Sequence, residues 1–243
     1  MISILMPIYN GIEFIEESVS SILRQKYDQW ELHIGINGHP QDSKVYQIAK
    51  EYKNKSDKIH VYDFFEIKGK SNTLNAMIPF CKYNYVALLD VDDIWHDEKL
   101  NVQSQLFNQY DVIGSKCVWF GDRPGIVPDI PVGDISDFDF SSVNPMINSS
   151  SIIRKELCHW NENGIEDYDL WLRLRKQHKT FFNCKSILVK HRIHSASAFN
   201  AKGNDNKVDS LLMSHGFKSR TEIHNNSFTI NIPSINKMSM NLL

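Results

Sequence analysis

Asp90-Val91-Asp92-Asp93 places three carboxylates within four residues, directly behind the apolar run Tyr85–Leu89. Carboxylates this close repel one another unless a cation or hydrogen-bond donors occupy the space between them. Hard divalent ions such as Mn²⁺ and Mg²⁺ take oxygen ligands, typically one or two carboxylates completed by phosphate oxygens. The plain alternative is that Asp92 or Asp93 caps the next helix while the others face solvent. A second acidic group, Glu166-Asp167-Tyr168-Asp169, precedes Leu170, Trp171 and Leu174. Those apolar residues make one helical stripe, which puts the acids in the first turn, where they complement the helix dipole. Asp167 would suit a general base if that helix began beside the metal, with Glu166 and Asp169 as reserve candidates. The third group is His191-Arg192-Ile193-His194-Ser195-Ala196-Ser197. His194 belongs with the others only if the chain returns to the same cavity.

Strands alternating with helices must bring these groups together. Ile2–Met6, Trp30–Ile36, Lys58–Phe65 and Tyr85–Leu89 read as strands. Helical spacing joins Ile15, Val19, Ile22 and Leu23, then Val45, Ile48, Ala49 and Tyr52, then Thr73 to Phe80. A polar helix is expected over about Asp97–Asn108. This order implies an α/β fold with a mostly parallel, doubly wound sheet, because parallel neighbours require crossover helices. Ligands in such sheets bind at the carboxyl ends of strands. Pro7-Ile8-Tyr9-Asn10, Asn37-Gly38 and Asp90 to Asp93 all fall there.

After Val112–Phe120 the regular alternation stops. Gly121 to Pro145 is rich in Pro, Gly and Asp, which marks loops. Met146–Ile153 and Thr180–Val189 read as strands, with an amphipathic helix over Glu166–Gln177 between them. Beyond Phe199 the chain turns polar; one short helix around Val208–Met213 and a loosely packed tail are expected.

The chain has 243 residues, 42% of them hydrophobic, and a formal net charge of −2. That composition supports a real core, and near-neutral charge gives no electrostatic drive toward nucleic acid. No apolar stretch approaches the roughly 20 residues that span a bilayer, and no secretory signal opens the chain. Cys81, Cys117, Cys158 and Cys184 are scattered without a close pair, so reduced thiols in a cytoplasmic compartment are expected. A peripheral place at a membrane is the variant of that localisation.

Taken in order, the motifs over residues 1–198 resemble the family 2 glycosyltransferases, inverting nucleotide-sugar enzymes with the GT-A fold. Ser3 to Asn10 looks like their first strand and P-x-Y-N turn, and Ser20-Ser21-Ile22-Leu23-Arg24-Gln25 like their S-[IV]-L-x-Q helix end. Gly69-Lys70-Ser71-Asn72-Thr73-Leu74-Asn75-Ala76 is similar to their Gly/Asn segment. Asp90 to Asp93 matches the D-x-D signature, Glu166 to Trp171 the E-D-x-[DE]-[LF]-W segment, and Arg192 to Ser197 the R-x-H-x-x-S segment.

The resemblance implies a Rossmann-type sheet flanked by helices, a less regular acceptor-side second half, and an appendage over 199–243. It further implies a donor site drawn from Pro7, Tyr9, Asn10, Asn37, Lys70, Asn75, Asp90, Val91 and Asp92. Mn²⁺ or Mg²⁺ would lie on Asp92 and His194, and Asp167 would be the base, with Asp93, Glu166 and Asp169 held in reserve. The implied partners are a nucleotide-sugar donor, a UDP-sugar favoured, and a glycan, lipid-linked or protein acceptor. Two departures qualify this. Asn37 stands where family members commonly carry an acid that reads the base, and the Q-x-x-R-W motif of processive synthases is absent. Two other readings also fit parts of the pattern: an inactive glycosyltransferase-like binding module, and a metal-dependent phosphotransferase or phosphatase.

Overall fold

The computed structural model describes residues 1–162, 165–195 and 204–218. Strands β1 (Ile2–Ile8), β2 (Trp30–Asn37), β3 (Ile59–Phe64) and β4 (Tyr85–Leu88) pair in parallel in the order β3-β2-β1-β4. Helices α1 (Ile15–Leu23), α2 (Lys44–Lys50) and α3 (Lys70–Met77) are the crossovers between them. The parallel half matches the alternation read from the sequence.

Beyond β4 the sheet becomes mixed. β8 (Ile152–Arg154) runs antiparallel to both β4 and β6 (Val112–Gly121), and β6 pairs in parallel with β9 (Phe181–Ile193). The short strands β5 (Ile94–Trp95) and β7 (Gly133–Asp134) each lie antiparallel on β9. Several elements depart from their expected bounds for local reasons. Within the expected strand Met146–Ile153, residues Asn148–Ser150 form a 3₁₀ turn, because Ser150 and Ser151 bond back to the carbonyls of Ile147 and Asn148. The expected helix over 97–108 shortens to α4 (Lys99–Ser104), and Asn108 takes a left-handed φ of 65°. Helix α3 starts three residues early, at Lys70, and tightens to a 3₁₀ turn at Ile78–Phe80, where Pro79 cannot continue the α-helical bonding. Strand β9 runs four residues past Val189, so His191 and Arg192 stand on a strand.

Both faces of the sheet are covered. Ile4, Ile8, Ile34 and Ala87 pack with Val19 and Ile22 of α1 on one side. Leu5, Val86 and Leu88 pack with Leu74 and Met77 of α3 and with Leu170 and Trp171 of α5 (Glu166–Lys176) on the other. Helix α6 (Asn204–Ser214) supplies Leu211 and Leu212 to this second core, and His215 just beyond it bonds Asp169. The expected short helix is therefore docked on the body of the domain. The 198/199 boundary and the tail from residue 219 lie outside the described residues. All four cysteines are free thiols. No helix among the described residues is long and apolar enough to cross a membrane.

Candidate active site

The turn after β4 carries the acids, and each has a different fate. The Asp93 N–H closes the turn on the Asp90 carbonyl at 3.1 Å. Asp90 accepts Lys70 Nζ at 2.7 Å on one oxygen and Asn148 Nδ2 at 3.0 Å on the other. Burial pushes the Asp90 carboxyl up, but Lys70 and Asn148 outweigh it and hold the group below the usual carboxylate range. Lys70 also lies 3.4 Å from Glu166. Burial alone would lower its ammonium, yet Asp90 and Glu166 raise it above the ordinary lysine value.

Asp92 meets His194 Nε2 at 3.1 Å. Burial, followed by repulsion from Asp93 and Asp90, raises its carboxyl against the pull of His194. Asp93 is fully buried and faces the other way. Both its oxygens lie 3.0 Å from His191 Nδ1, and one accepts the Arg192 N–H at 2.8 Å. Burial works against the His191 cation, but Asp93 lifts it to about 9. Asp93 thus anchors β9 through His191 and Arg192.

Helix α5 begins at Glu166, and its acids diverge as well. Burial, then the Glu166 charge, pushes Asp167 up to about 6, opposed by Lys70. Asn144 Nδ2 donates to Asp167 at 3.3 Å. Asp169 is consumed by Arg173 at 2.8 Å, Asn161 at 2.9 Å and His215 at 3.0 Å. Asp167 is left as the acid at the helix start without a cationic partner of its own among these contacts.

A cavity of about 500 Å³ lies at the strand ends, lined by Pro7, Tyr9, Asn37, Gly38, Lys68, Gly69 and Lys70. Gly38 has φ 70°, and a Cβ there would sit 2.9 Å from the Tyr9 ring, so only glycine leaves that ring in place. Asn37 is buried and donates Nδ2 to the Ile8 carbonyl at 3.2 Å, so its Oδ1 keeps its acceptor capacity. Five other donor-site candidates stand apart from this lining, Asp90 and Asp92 among them on the acidic turn. Asn10 is exposed on the turn. Val91 packs on Gly11. Asn75 is occupied on both sides by the Trp160 backbone, at 2.8 and 3.0 Å.

Asp92 and His194 set a carboxylate oxygen 3.1 Å from an imidazole nitrogen, two donor types that a divalent ion accepts. Among the described residues no three His, Cys, Asp or Glu side chains converge as a complete ligand set. Such ions commonly complete their shell with water and substrate phosphate oxygens.

A family model for glycosyl transferase family 2 matches residues 3–204. The chain belongs to glycosyl transferase family 2. An uncharacterized glycosyltransferase of Rickettsia conorii is 26% identical to it over 242 residues, covering 91% of this chain but 39% of its own length. The chain thus spans well under half of that relative. The O-antigen biosynthesis glycosyltransferase WbnJ of Escherichia coli is 26% identical, with 81% of each chain covered. Also from E. coli, the UDP-Glc:α-D-GlcNAc-diphosphoundecaprenol β-1,3-glucosyltransferase WfgD is 26% identical over 81% of this chain and 79% of its own. In structure, S. aureus TarS with UDP-GlcNAc matches with a TM-score of 0.70 at 16% identity, over 94% of this chain and 68% of that one. The Pyrobaculum calidifontis mannosyltransferase PcManGT with GDP-Man and Mn²⁺ gives 0.66 at 12% identity, over 94% and 65%. The fold is that of GT-A glycosyltransferases.

Within this family 2 chain, several motif residues hold the frame together. Gln25 donates to the His96 carbonyl at 2.8 Å and accepts the Leu100 N–H at 3.0 Å, and Ser21 accepts the Trp95 N–H. These bonds tie the end of α1 to the segment after the acidic turn. Asn148, Ser149 and Asn144 were missed from sequence, although Asn148 and Asn144 touch Asp90 and Asp167 and Ser149 accepts the Asp90 N–H. Single polar residues in a loop carry no periodic signal.

Proposed function

We propose that this glycosyltransferase moves a sugar from a nucleoside-diphosphate sugar, a UDP-sugar by preference, to an acceptor hydroxyl by a metal-assisted single displacement that inverts the anomeric carbon. The observation that carries this reading is Lys70. This residue lines the strand-end cavity, and its ammonium bridges Asp90 of the acidic turn and Glu166 of the helix that carries Asp167. One residue thus joins the places required for donor, metal and base.

In this reading the base stacks on Tyr9 and donates a ring N–H to Asn37 Oδ1. The diphosphate lies along Lys70, and Asp92 and His194 would hold Mn²⁺ or Mg²⁺. A bound divalent ion supplies Lewis-acid neutralisation of charge growing on the leaving diphosphate. Asp167 accepts the acceptor hydroxyl proton as that oxygen bonds to the anomeric carbon and the bond to the diphosphate breaks. One base and one displacement give inversion, through an oxocarbenium-like transition state. The contact between Asn144 and Asp167 supports an acceptor pocket bordered by the 121–145 loops. WfgD, with its UDP-glucose donor and lipid-diphosphate-linked acceptor, favours a UDP-sugar and a glycan acceptor here.

Thermal unfolding with UDP-, GDP- and dTDP-sugars plus Mn²⁺ tests the reading. A ligand at about 100 times its Kd adds about 2.7 kcal/mol, or roughly 5–10 °C for a domain of this size. The UDP-sugar is expected to give the largest shift, and no shift from any nucleotide sugar would overturn the proposal. The Asn37→Ala variant should weaken UDP binding by up to about tenfold, the value of one hydrogen bond. Calorimetric titration checks this, and an unchanged affinity would remove Asn37 from the base site.

A further inference from the structure

Arg192 has no part in the chemistry above, yet it contacts the acidic turn, Glu17 of α1, Phe14 and Phe120 of β6. Its Nε donates to the Asp92 carbonyl at 2.9 Å, and its backbone N–H donates to Asp93 at 2.8 Å. A terminal guanidinium nitrogen meets Glu17 of α1 at 2.8 Å. The guanidinium carbon lies 4.3 Å from the Phe14 ring on one side and 4.3 Å from the Phe120 ring on the other. Its side chain is 13% exposed. A planar cation sandwiched between two rings, with a carbonyl and a carboxylate at its edge, has little freedom to turn.

The strand explains the division of labour. Side chains two residues apart along an extended chain project to the same side, so Arg192 and His194 both reach the acidic turn, while Ile193 between them is buried. Arg192 takes the main chain of Asp92, and His194 meets its side chain. Fixing the carbonyl fixes the direction of the Asp92 Cα–Cβ bond, and with it the approach of the carboxylate to His194.

We propose that Arg192 is a positioning residue for sugar transfer: its clamp on the Asp92 carbonyl holds Asp92 and His194 at the spacing a divalent cation requires, before the donor arrives. The inference rests on the reading of Asp92 and His194 as the metal pair. Lysine would keep the charge but lose the planar fork and the Nε donor, so Arg192→Lys is the informative change.

The test is Mn²⁺ titration of the whole chain in the presence of UDP, with GDP as a second probe, following loss of the free-ion EPR signal. Arg192→Lys is expected to raise the Mn²⁺ Kd about 10–100-fold, the usual cost of losing a group that orients a ligand. Binding of UDP without metal should be unchanged. Glu17→Gln leaves the aromatic sandwich in place and removes one half-exposed contact, so a change of about twofold is expected. A purely structural role would lower the unfolding temperature and leave the Mn²⁺ Kd of the folded protein at its wild-type value. That result in Arg192→Lys would overturn the inference. If Arg192→Lys fails to fold, a wild-type Mn²⁺ Kd in Arg192→Gln, which also lacks the Nε donor, overturns it instead. Wild-type protein binding no Mn²⁺ with either nucleotide, or Asp92→Ala binding it normally, would overturn the metal reading itself and the clamp with it.

Discussion

Replacing Asp167 with asparagine is expected to lower the transfer rate by about 10²–10⁴-fold, the range attributed to a positioned general base. Nucleotide-sugar affinity should stay within about twofold of wild type, since the donor contacts lie on other residues. The pH dependence sharpens this. Asp167 must be ionised to accept a proton, and burial with the Glu166 charge puts that ionisation at about 6. Wild-type kcat/KM should therefore climb about tenfold per pH unit below 6 and level off above it. For stability the sign is opposite. A carboxyl with a folded value near 6 and an unfolded value near 3.9 binds more protons when folded, so its stabilising contribution, full below about 4, is lost as pH rises through 6. The asparagine variant escapes that loss and should melt no lower than wild type at pH 7. Loss of transfer together with a lower melting point would point to damaged folding and count against the assignment.

Asp92→Ala carries the second large effect. Removing the carboxylate beside His194 should cost roughly 10² or more in the Mn²⁺-dependent part of nucleotide binding, a few kcal/mol of lost charge compensation. Binding without metal should change little. Because burial and two neighbouring acids already raise Asp92, the alanine variant should not be less stable at neutral pH. Titrating nucleotide with and without Mn²⁺ checks the first claim. An unchanged metal increment would remove Asp92 as a principal ligand.

The parallel half of the sheet and the three acidic or basic clusters were legible in the sequence because their signals are periodic or dense. Apolar runs that break at Pro7, Asn37 and Asp90 fall within two residues of the ends of β1, β2 and β4, and strand ends are where this fold binds ligands. The finer division of roles was hidden. Asp92 and Asp93 are neighbours in sequence, yet one faces His194 and the other is buried against His191. Asp167 and Asp169 share a helix turn, yet Asp169 is spent on Arg173, Asn161 and His215. Lys70 beside Asp90, and His191, whose imidazolium Asp93 favours against the cost of burial, offset part of the acid gathered at the turn. Such facts depend on which way each side chain points across contacts far apart in sequence. The mixed half of the sheet was obscured for a related reason: β5, β7 and β8 are too short to show a period.

Single displacement at an anomeric carbon, with Asp167 as the base, is the centre of this account. Proton NMR of the first sugar product formed from an α-configured UDP-sugar and Mn²⁺, with acceptor sugars or water supplying the hydroxyl, tests it most directly. The account predicts a β-configured product from the wild-type chain and none above background from Asp167→Asn. An α-configured product, or a β-configured product formed at the wild-type rate by that variant, would contradict it.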